Sequence, residues 1–227
     1  MRSDVAVVIP VHNEEQVVEQ VVRAVRAEYE NVICVNDGST DGSAAAVART
    51  GAFLINHPIN MGQGAALQTG IEFVRTLPGI RYVVTFDADG QHRLVDVARM
   101  LAEIEASGVD VVLGSRFLDE QPSAMPTAKR WVLKLAIAFS NLVSGLRLTD
   151  THNGLRVFTR RVADALQITM PDMAHASEIV DIIATHHYSY REVPVQIAYT
   201  EYSLAKGQSI TNAVNIAFDT LLRKVSR

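Results

Sequence analysis

The sequence contains a single cysteine, Cys34, so no disulfide can form within the chain. Cys34 lies in the apolar run V-I-C-V, which favours a small core residue over a nucleophile. No secretory signal precedes the first apolar run, and no stretch approaches the roughly 18 to 20 uncharged apolar residues of a membrane span. The sequence therefore predicts a cytoplasmic protein without a transmembrane helix.

Two further absences exclude classes of function. The 227 residues carry 21 Lys and Arg against 25 Asp and Glu, a formal net charge of −4. Such a chain has no general attraction to nucleic acid, so any anion site must be built locally. No G-x-G-x-x-G motif follows the first apolar run, where Pro10 stands instead, which disfavours a dinucleotide-binding dehydrogenase.

Short apolar runs rich in Val and Ile alternate with amphipathic stretches in the first half of the chain. The runs span residues 5–9, 32–35, 52–55, 80–86 and 109–113. Each run is too short for a core helix, whereas residues 14–28, 64–76 and 93–106 carry helical apolar stripes. This alternation predicts an α/β fold, a Rossmann-like and mostly parallel sheet flanked by helices, in one domain over residues 1–227.

The second half is less regular. Residues 128–147 predict a helix that is apolar around much of its circumference, which either lies on a membrane surface or is buried by its own domain. Residues 192–199 predict a strand, and residues 211–227 predict a C-terminal amphipathic helix.

Every strand of the first half is followed by a polar loop. Ligands of parallel α/β sheets bind beyond the carboxyl ends of the strands, so these loops define a candidate site. Each loop also has a structural alternative, because Asn13, Asp41 and Asn60 suit helix N-caps. Gly62 and Gly64 either permit a tight turn into a helix or present N–H groups to an anion.

The fourth strand is followed by F-D-A-D-G-Q-H, which holds two closely spaced acids. Two carboxylates near 4 Å repel by roughly 4 kcal/mol at an effective dielectric of about 20. A hard cation such as Mg²⁺ or Mn²⁺ would relieve this repulsion between Asp87 and Asp89, and Gln91 adds an amide oxygen. The alternative is an Asp-rich turn with Gly90 as its left-handed residue.

Six motifs resemble, in this order, those of family 2 glycosyltransferases of GT-A fold: V-V-I-P-V-H-N-E-E, V-N-D-G-S-T-D-G-S, N-x-G-x-G-A-A, F-D-A-D-G-Q-H, G-S-R-F and D-T-H-N-G-L-R-V-F. The resemblance covers about residues 4–210 and is strongest to the polyprenyl-phosphate sugar synthases. It implies a nucleotide-sugar and metal-binding half over residues 1–117 and an acceptor half over 118–210. His12 and Gly90 depart from residues common in dolichyl-phosphate mannose synthases, and this sequence stops where many members continue into transmembrane helices.

The resemblance also implies which residues bind the donor. Asp87, Asp89 and Gln91 would hold the Mg²⁺ or Mn²⁺ that bridges the donor diphosphate. The remaining donor-binding residues come from the polar loops: Pro10, Asn13, Glu14, Asp37, Gly64 and Lys206. For Lys206, a solvated lysine is the alternative.

The acceptor phosphate would be received by Arg116, Arg130, Lys134 and Ser140, since the planar guanidinium of arginine binds phosphate oxygens in pairs. For Arg116 the alternative is a surface ion pair, which would contribute little to stability. We expect the catalytic set to comprise Asp89, Arg116 and Asp150. A hydroxyl acceptor would require a general base, for which Asp150 or Glu178 are the candidates.

These inferences predict a metal-dependent, inverting transferase that moves a hexose from a nucleotide-diphosphate sugar to a polyprenyl phosphate. The alternatives are a transferase of the same fold that extends a cell-surface glycan at a hydroxyl, and a non-enzymatic nucleotide-binding regulatory subunit. We expect a peripheral location at the inner face of the membrane. A small membrane partner protein and homodimerisation are further predictions.

Overall fold

The structure, a computed structural model, describes residues 1–118, residues 134–170 except 136, 139 and 143, and residues 174–198. The strands are β1 Arg2–Val11, β2 Tyr29–Asp37, β3 Phe53–His57, β4 Tyr82–Thr85, β5 Val111–Ser115, β6 Arg156–Thr159 and β7 Tyr190–Pro194. The helices are α1 Val18–Glu28, α2 Ser43–Ala48, α3 Gln63–Thr76, α4 Leu94–Ser107, α5 Arg160–Ala165 and α6 His175–Thr185.

The strands form one seven-stranded sheet in the order β3-β2-β1-β4-β6-β5-β7. Strand β6 runs antiparallel to both of its neighbours, β4 and β5. The other pairs are parallel. As a result, the carboxyl ends of β4 and β5 lie at the same edge as the first residue of β6.

Helices cover both faces of the sheet, as the alternation of strands and helices predicts. Residues of β1 alternate between the faces: Val5, Val7 and Ile9 pack in the core with α1 and α4. Ala6 and Val8 pack on the opposite face, in the core with α3, α5 and α6. Because the sheet is buried on both sides, its central strands are apolar at successive positions rather than at alternate ones.

Two predicted boundaries are corrected. Helix α1 begins at Val18 rather than at residue 14 and has Val17, not Asn13, as its N-cap residue. The N–H of Glu14 instead donates to Ser43 Oγ at 2.7 Å, so the segment before α1 is bound to the first residue of α2.

The predicted strand over 192–199 lies at Tyr190–Pro194. Pro194 pairs with Ser115, the last residue of β5, and this is the last pair of the β5–β7 ladder within the described residues.

In the predicted helix over 128–147, residues 134, 135, 137, 138, 140–142 and 144 are helical. Leu135 and Leu142 on this segment are 70% and 83% exposed. The predicted helix over 211–227, together with Arg130 and Lys206, lies outside the described residues. Across the part of the chain that the structure describes, every helix is too short or too polar to cross a bilayer.

Candidate active site at the carboxyl edge of the sheet

The loops that follow β1, β2 and β3 are joined to one another by side-chain hydrogen bonds. Asn13 has a left-handed backbone, with φ 54°, and its Oδ1 accepts from Thr40 N at 2.9 Å. His12 Nδ1 donates to the carbonyl of Asp37 at 2.7 Å. Its Nε2 then accepts from Asn60 Nδ2 at 3.2 Å. The loop residues predicted to bind the donor therefore lie side by side, next to Pro10 in β1.

Asp37 ends β2 and is buried, with only 3% of its surface exposed. Its Oδ1 accepts hydrogen bonds from His57 Nδ1 at 2.8 Å and Met61 N at 2.9 Å. Its Oδ2 accepts from Gly62 N at 2.8 Å. The carboxylate thus occupies the position beside the start of α3 where the glycine-rich loop was expected to face an anion.

Gly64 lies in the first turn of α3 and is buried. A Cβ at this position would overlap the carbonyl oxygen of Met170 and lie 3.0 Å from the Cβ of His175. The glycine therefore allows close packing of α3 against the segment that leads into α6. Its predicted role in donor binding stays a prediction.

Asp87 follows β4 and has a partner on each carboxylate oxygen. Oδ1 accepts from Gln63 Nε2 at 3.0 Å, and Oδ2 accepts from His92 Nε2 at 2.8 Å. Desolvation acts to raise the pKa of Asp87, but His92, assisted by Arg156 and His175, outweighs it and keeps the pKa below its usual value. The carboxylate is ionised and held in one orientation by its own chain.

Asp89 lies in a different electrostatic environment. Its Oδ1 accepts from Gln91 N at 3.0 Å. Desolvation and the neighbouring charge of Asp87 raise the pKa of Asp89 to about 6. Gly90, which follows Asp89, has φ 76°, which confirms the predicted left-handed turn residue. The turn and the pairing of the two acids are therefore features of the same loop.

The donor set at this loop fits a hard divalent cation. Asp87 and Asp89 lie close enough for the charge of Asp87 to add to desolvation in raising the pKa of Asp89, and a divalent cation bound by both would offset this repulsion. Among the residues that the structure describes, no group of three or more His, Cys, Asp or Glu side chains is placed to hold a metal. Asp87 and Asp89 would thus supply two ligands to a site completed by other oxygens.

Arg116 follows β5 and forms an ion pair with Asp150. Nε donates to Oδ2 at 2.6 Å, and a terminal nitrogen donates to Oδ1 at 2.9 Å. The Asp150 side chain is fully buried, and the Arg116 side chain is 16% exposed. Desolvation acts to raise the pKa of Asp150, but the charge and hydrogen bonds of Arg116 outweigh it and lower the pKa. The ion pair anticipated for Arg116 is therefore largely buried rather than exposed.

Glu192 in β7 fixes the turn that carries Asp150. Its carboxylate accepts from Thr149 N and Thr149 Oγ1, each at 2.9 Å, and from Asp150 N at 3.1 Å. Burial is the main cause that raises the pKa of Glu192. The position of Arg116 thus depends on two acids, Asp150 directly and Glu192 through the turn.

Arg156 and His92 are site residues to which the sequence analysis assigned no role. Arg156 begins β6, pairs with Thr85 of β4 and Leu113 of β5, and is 2% exposed. Both of its terminal nitrogens are buried without a hydrogen-bond partner among the described residues. Desolvation lowers the pKa of Arg156 to about 10, against the charges of Asp87 and Asp150. The sequence signal was a charged residue inside the apolar run L-R-V-F.

The remaining predicted residues have the following positions. Lys134 is exposed and Ser140 is half-buried. The neighbouring Asn141 donates through Nδ2 to Leu148 O at 2.7 Å, which ties this helical segment to the turn before Asp150. Glu178, the other candidate base, accepts hydrogen bonds from the N–H groups of Thr169 and Met170 at 2.9 and 2.8 Å.

The family model for glycosyl transferase family 2 matches residues 6–166, which is more than half of the chain. The chain belongs to glycosyl transferase family 2. The matched part includes both the F-D-A-D-G-Q-H loop and Arg116, and membership confirms the predicted class of enzyme.

Two relatives match this glycosyltransferase over almost its whole length. An uncharacterised protein of Methanocaldococcus jannaschii is 31% identical over 99% of this chain and 93% of its own. The UDP-N-acetylglucosamine–dolichyl-phosphate N-acetylglucosaminyltransferase of Methanococcus voltae is 30% identical over 97% of this chain and 96% of its own.

A solved structure supports the fold. Glucosyl-3-phosphoglycerate synthase from Mycobacterium tuberculosis, in complex with Mn²⁺, uridine diphosphate and phosphoglyceric acid, aligns with a TM-score of 0.73 and 16% identity. The alignment covers 99% of this chain and 78% of the synthase. At this identity the likeness concerns the fold alone, and it confirms the predicted GT-A architecture.

Proposed function

We propose that this glycosyltransferase moves a hexose from a nucleotide-diphosphate sugar to a polyprenyl phosphate, with inversion at the anomeric carbon. The observation that carries the proposal is the placement of the acid pair Asp87 and Asp89 after β4 and of Arg116 after β5. Strand β6 lies between these strands in the sheet. A cation site and a phosphate-binding arginine would then border one cleft.

The donor would bind on the acid side of this cleft. Asp87, Asp89 and Gln91 would hold Mg²⁺ or Mn²⁺, which, when bound, neutralises the charge that develops on the leaving diphosphate. The chain's own task is to orient these oxygens. The hydrogen bonds of Asp87 to Gln63 and His92 support this assignment, because both acid oxygens are oriented by the fold itself. Pro10, Asn13, Glu14 and Asp37 would line the nucleotide on the neighbouring loops.

The acceptor would bind on the Arg116 side, with Arg130, Lys134 and Ser140. A phosphate acceptor is favoured over a hydroxyl acceptor because both candidate bases, Asp150 and Glu178, are already engaged by other groups of the chain. Asp150 is ionised and bound by Arg116, and Glu178 accepts hydrogen bonds from its own loop. A phosphate monoester, with its second pKa near 6, is largely ionised at pH 7 and requires no base. The relative from Methanococcus voltae, whose name specifies a dolichyl-phosphate acceptor, supports the same class.

Radiolabelled nucleotide sugars test the proposal directly. The protein would be incubated with a panel of these donors and Mn²⁺, with and without undecaprenyl or dolichyl phosphate. Label that enters the organic phase only when lipid phosphate is present supports the proposal. Label that appears only on a water-soluble glycan contradicts the lipid acceptor. Binding of a donor without any transfer contradicts the proposed transferase activity.

The metal assignment has its own control. Asp89→Asn should abolish transfer while the protein stays folded, and EDTA should do the same to the wild type. Asp164→Asn, which changes an acid on the surface of α5, should leave transfer unchanged. Full transfer by Asp89→Asn would contradict the role of Asp89 as a metal ligand.

A lipid acceptor also requires access to a membrane, and we place the enzyme peripherally at its inner face. Flotation with anionic liposomes, with and without lipid phosphate, measures this association. Protein that stays at the bottom of the gradient in both cases would contradict the peripheral location. A small membrane partner and homodimerisation remain predictions.

A further inference from the structure

Gly154 lies against the carboxylate of Asp87. The three atoms closest to a Cβ built on Gly154 all belong to Asp87: Oδ2, Oδ1 at 2.8 Å and Cγ at 2.9 Å. Real Cβ atoms essentially never approach other atoms within 3.0 Å, so either the backbone or the carboxylate would have to shift. The space that the missing side chain leaves is therefore the space that Asp87 occupies.

The backbone conformation does not explain this glycine. Gly154 does not have a positive φ, in contrast to Gly90 and Gly108. An alanine could adopt the same backbone without strain, because left-handed angles alone favour glycine strongly. What an alanine could not share is the contact with Asp87.

Neither Gly154 nor Asp87 can move away from the other without losing hydrogen bonds. The carbonyl of Gly154 accepts from the buried Thr85 Oγ1 at 2.7 Å, which fixes the glycine to the end of β4. Asp87 is fixed through both oxygens by Gln63 and by His92, whose side chain is 3% exposed. A Cβ at position 154 would push the carboxylate away from at least one of these donors.

We propose that Gly154 is a positioning residue for Asp87: the absence of a side chain allows the carboxylate to keep the orientation in which it serves as a ligand for a divalent cation. This inference rests on the proposed function for the cation, but the contact itself does not. Arg156, two residues further along, places a buried positive charge beside the same carboxylate. The segment from 154 to 156 thus shapes the inner side of the acid loop.

A double-mutant cycle tests the contact without any metal. The unfolding free energies of the wild type, Gly154→Ala, Asp87→Ala and the double variant would be measured in EDTA. All three clashing atoms are removed by Asp87→Ala, so Gly154→Ala should destabilise the wild type and have little effect in the Asp87→Ala background. If the single variant fails to fold, the double variant should still fold. An equal loss of unfolding free energy on Gly154→Ala in the wild-type and the Asp87→Ala backgrounds would overturn the proposal.

Cation binding tests the positioning role. Gly154→Ala should weaken Mn²⁺ binding in the presence of nucleoside diphosphate by about tenfold or more, the range found when groups that orient metal ligands are changed. Gly108→Ala is the matched control. Its φ of 68° makes alanine strained, yet no atom of the described residues lies within 4 Å of the added Cβ. This variant should lose stability and keep its Mn²⁺ affinity.

The double-mutant cycle and the Mn²⁺ binding measurement distinguish the positioning role of Gly154 from the proposed metal dependence. Unchanged Mn²⁺ affinity in Gly154→Ala, with normal binding by the wild type, overturns the positioning role. A wild type that binds no Mn²⁺ contradicts the proposed metal dependence, and with it the ligand role of Asp87, while the mutant cycle still decides whether Gly154 fixes the carboxylate.

Discussion

Arg116 and Asp150 are joined by two guanidinium hydrogen bonds, and the N–H of Arg116 donates to the same carboxylate at 3.1 Å. Such a pair holds both the side chain and the backbone just beyond β5. Truncation of one partner of a buried ion pair leaves the other charge uncompensated, which costs more than the pair itself contributes. The pair therefore fixes the orientation of Arg116 as well as the local fold.

We expect Asp150→Asn to lower the free energy of unfolding by about 3 kcal/mol, because the charge of Arg116 would lose its buried partner. Urea denaturation at pH 7 measures the change. Asp164→Asn, in the exposed pair with Arg160, should leave the midpoint almost unchanged. Equal effects of the two substitutions would contradict a special role for the buried pair.

The same pair predicts a pH dependence. The pKa of Asp150 is lowered in the folded protein, so its contribution is fully present above the unfolded pKa of about 3.9 and is lost as the pH falls through the folded value. The difference in stability between the wild type and Asp150→Asn should therefore shrink below about pH 4. A difference that stays constant down to pH 3 would contradict this prediction.

Asp89 should have the opposite effect on stability when divalent cations are absent. Its folded pKa of about 6 lies above the usual value of 3.8, so the fold is most stable with the acid protonated and loses stability as the pH rises from about 4 to about 6. Asp89→Asn should then raise Tm at pH 7.5 in EDTA by roughly 6–12 °C and change it little at pH 4. Scanning calorimetry measures both values, and an unchanged Tm at pH 7.5 would contradict the raised pKa.

Glu192→Ala should shift Arg116 through the turn that carries Asp150. The substitution leaves the N–H groups of Thr149 and Asp150 without their acceptor, and we expect a loss of about 2 kcal/mol in stability. If Arg116 binds the acceptor phosphate, KM for the acceptor should rise more than KM for the donor. Glu103→Ala, which removes a surface partner of Arg191, provides the control. Equal changes in both KM values would indicate a purely structural effect.

The thiol of Cys34 should be unreactive in the native protein. Cys34 is fully buried in β2, and desolvation raises its pKa to about 12, so almost no thiolate exists at neutral pH. Ellman's reagent should label no thiol per native chain and one after denaturation in urea. Rapid labelling of the native protein, or loss of transfer in Cys34→Ala, would contradict the assignment as a core residue.

Local patterns were sufficient for much of the fold. The runs around Val7, Val32 and Val111 predicted strands because buried parallel strands are apolar at successive positions. The acids after β4 could be placed at the sheet edge for the same reason, since each polar loop follows a strand. The prediction failed at the start of α1, which begins at Val18, and there the N–H of Glu14 is bound to Ser43, 29 residues away.

The sequence by itself determined the alternation of strands and helices, the edge at which the polar loops meet and the acid pair Asp87 and Asp89. These features depend on neighbours in the chain and on the periodicity of apolar residues. Only the tertiary structure decided that Arg116 is paired with Asp150, that Asp37 occupies the start of α3 and that Gly154 makes room for Asp87. Each of these contacts joins residues more than 20 positions apart. They depend on which strands become neighbours, and that order arises when the sheet and both cores are assembled together.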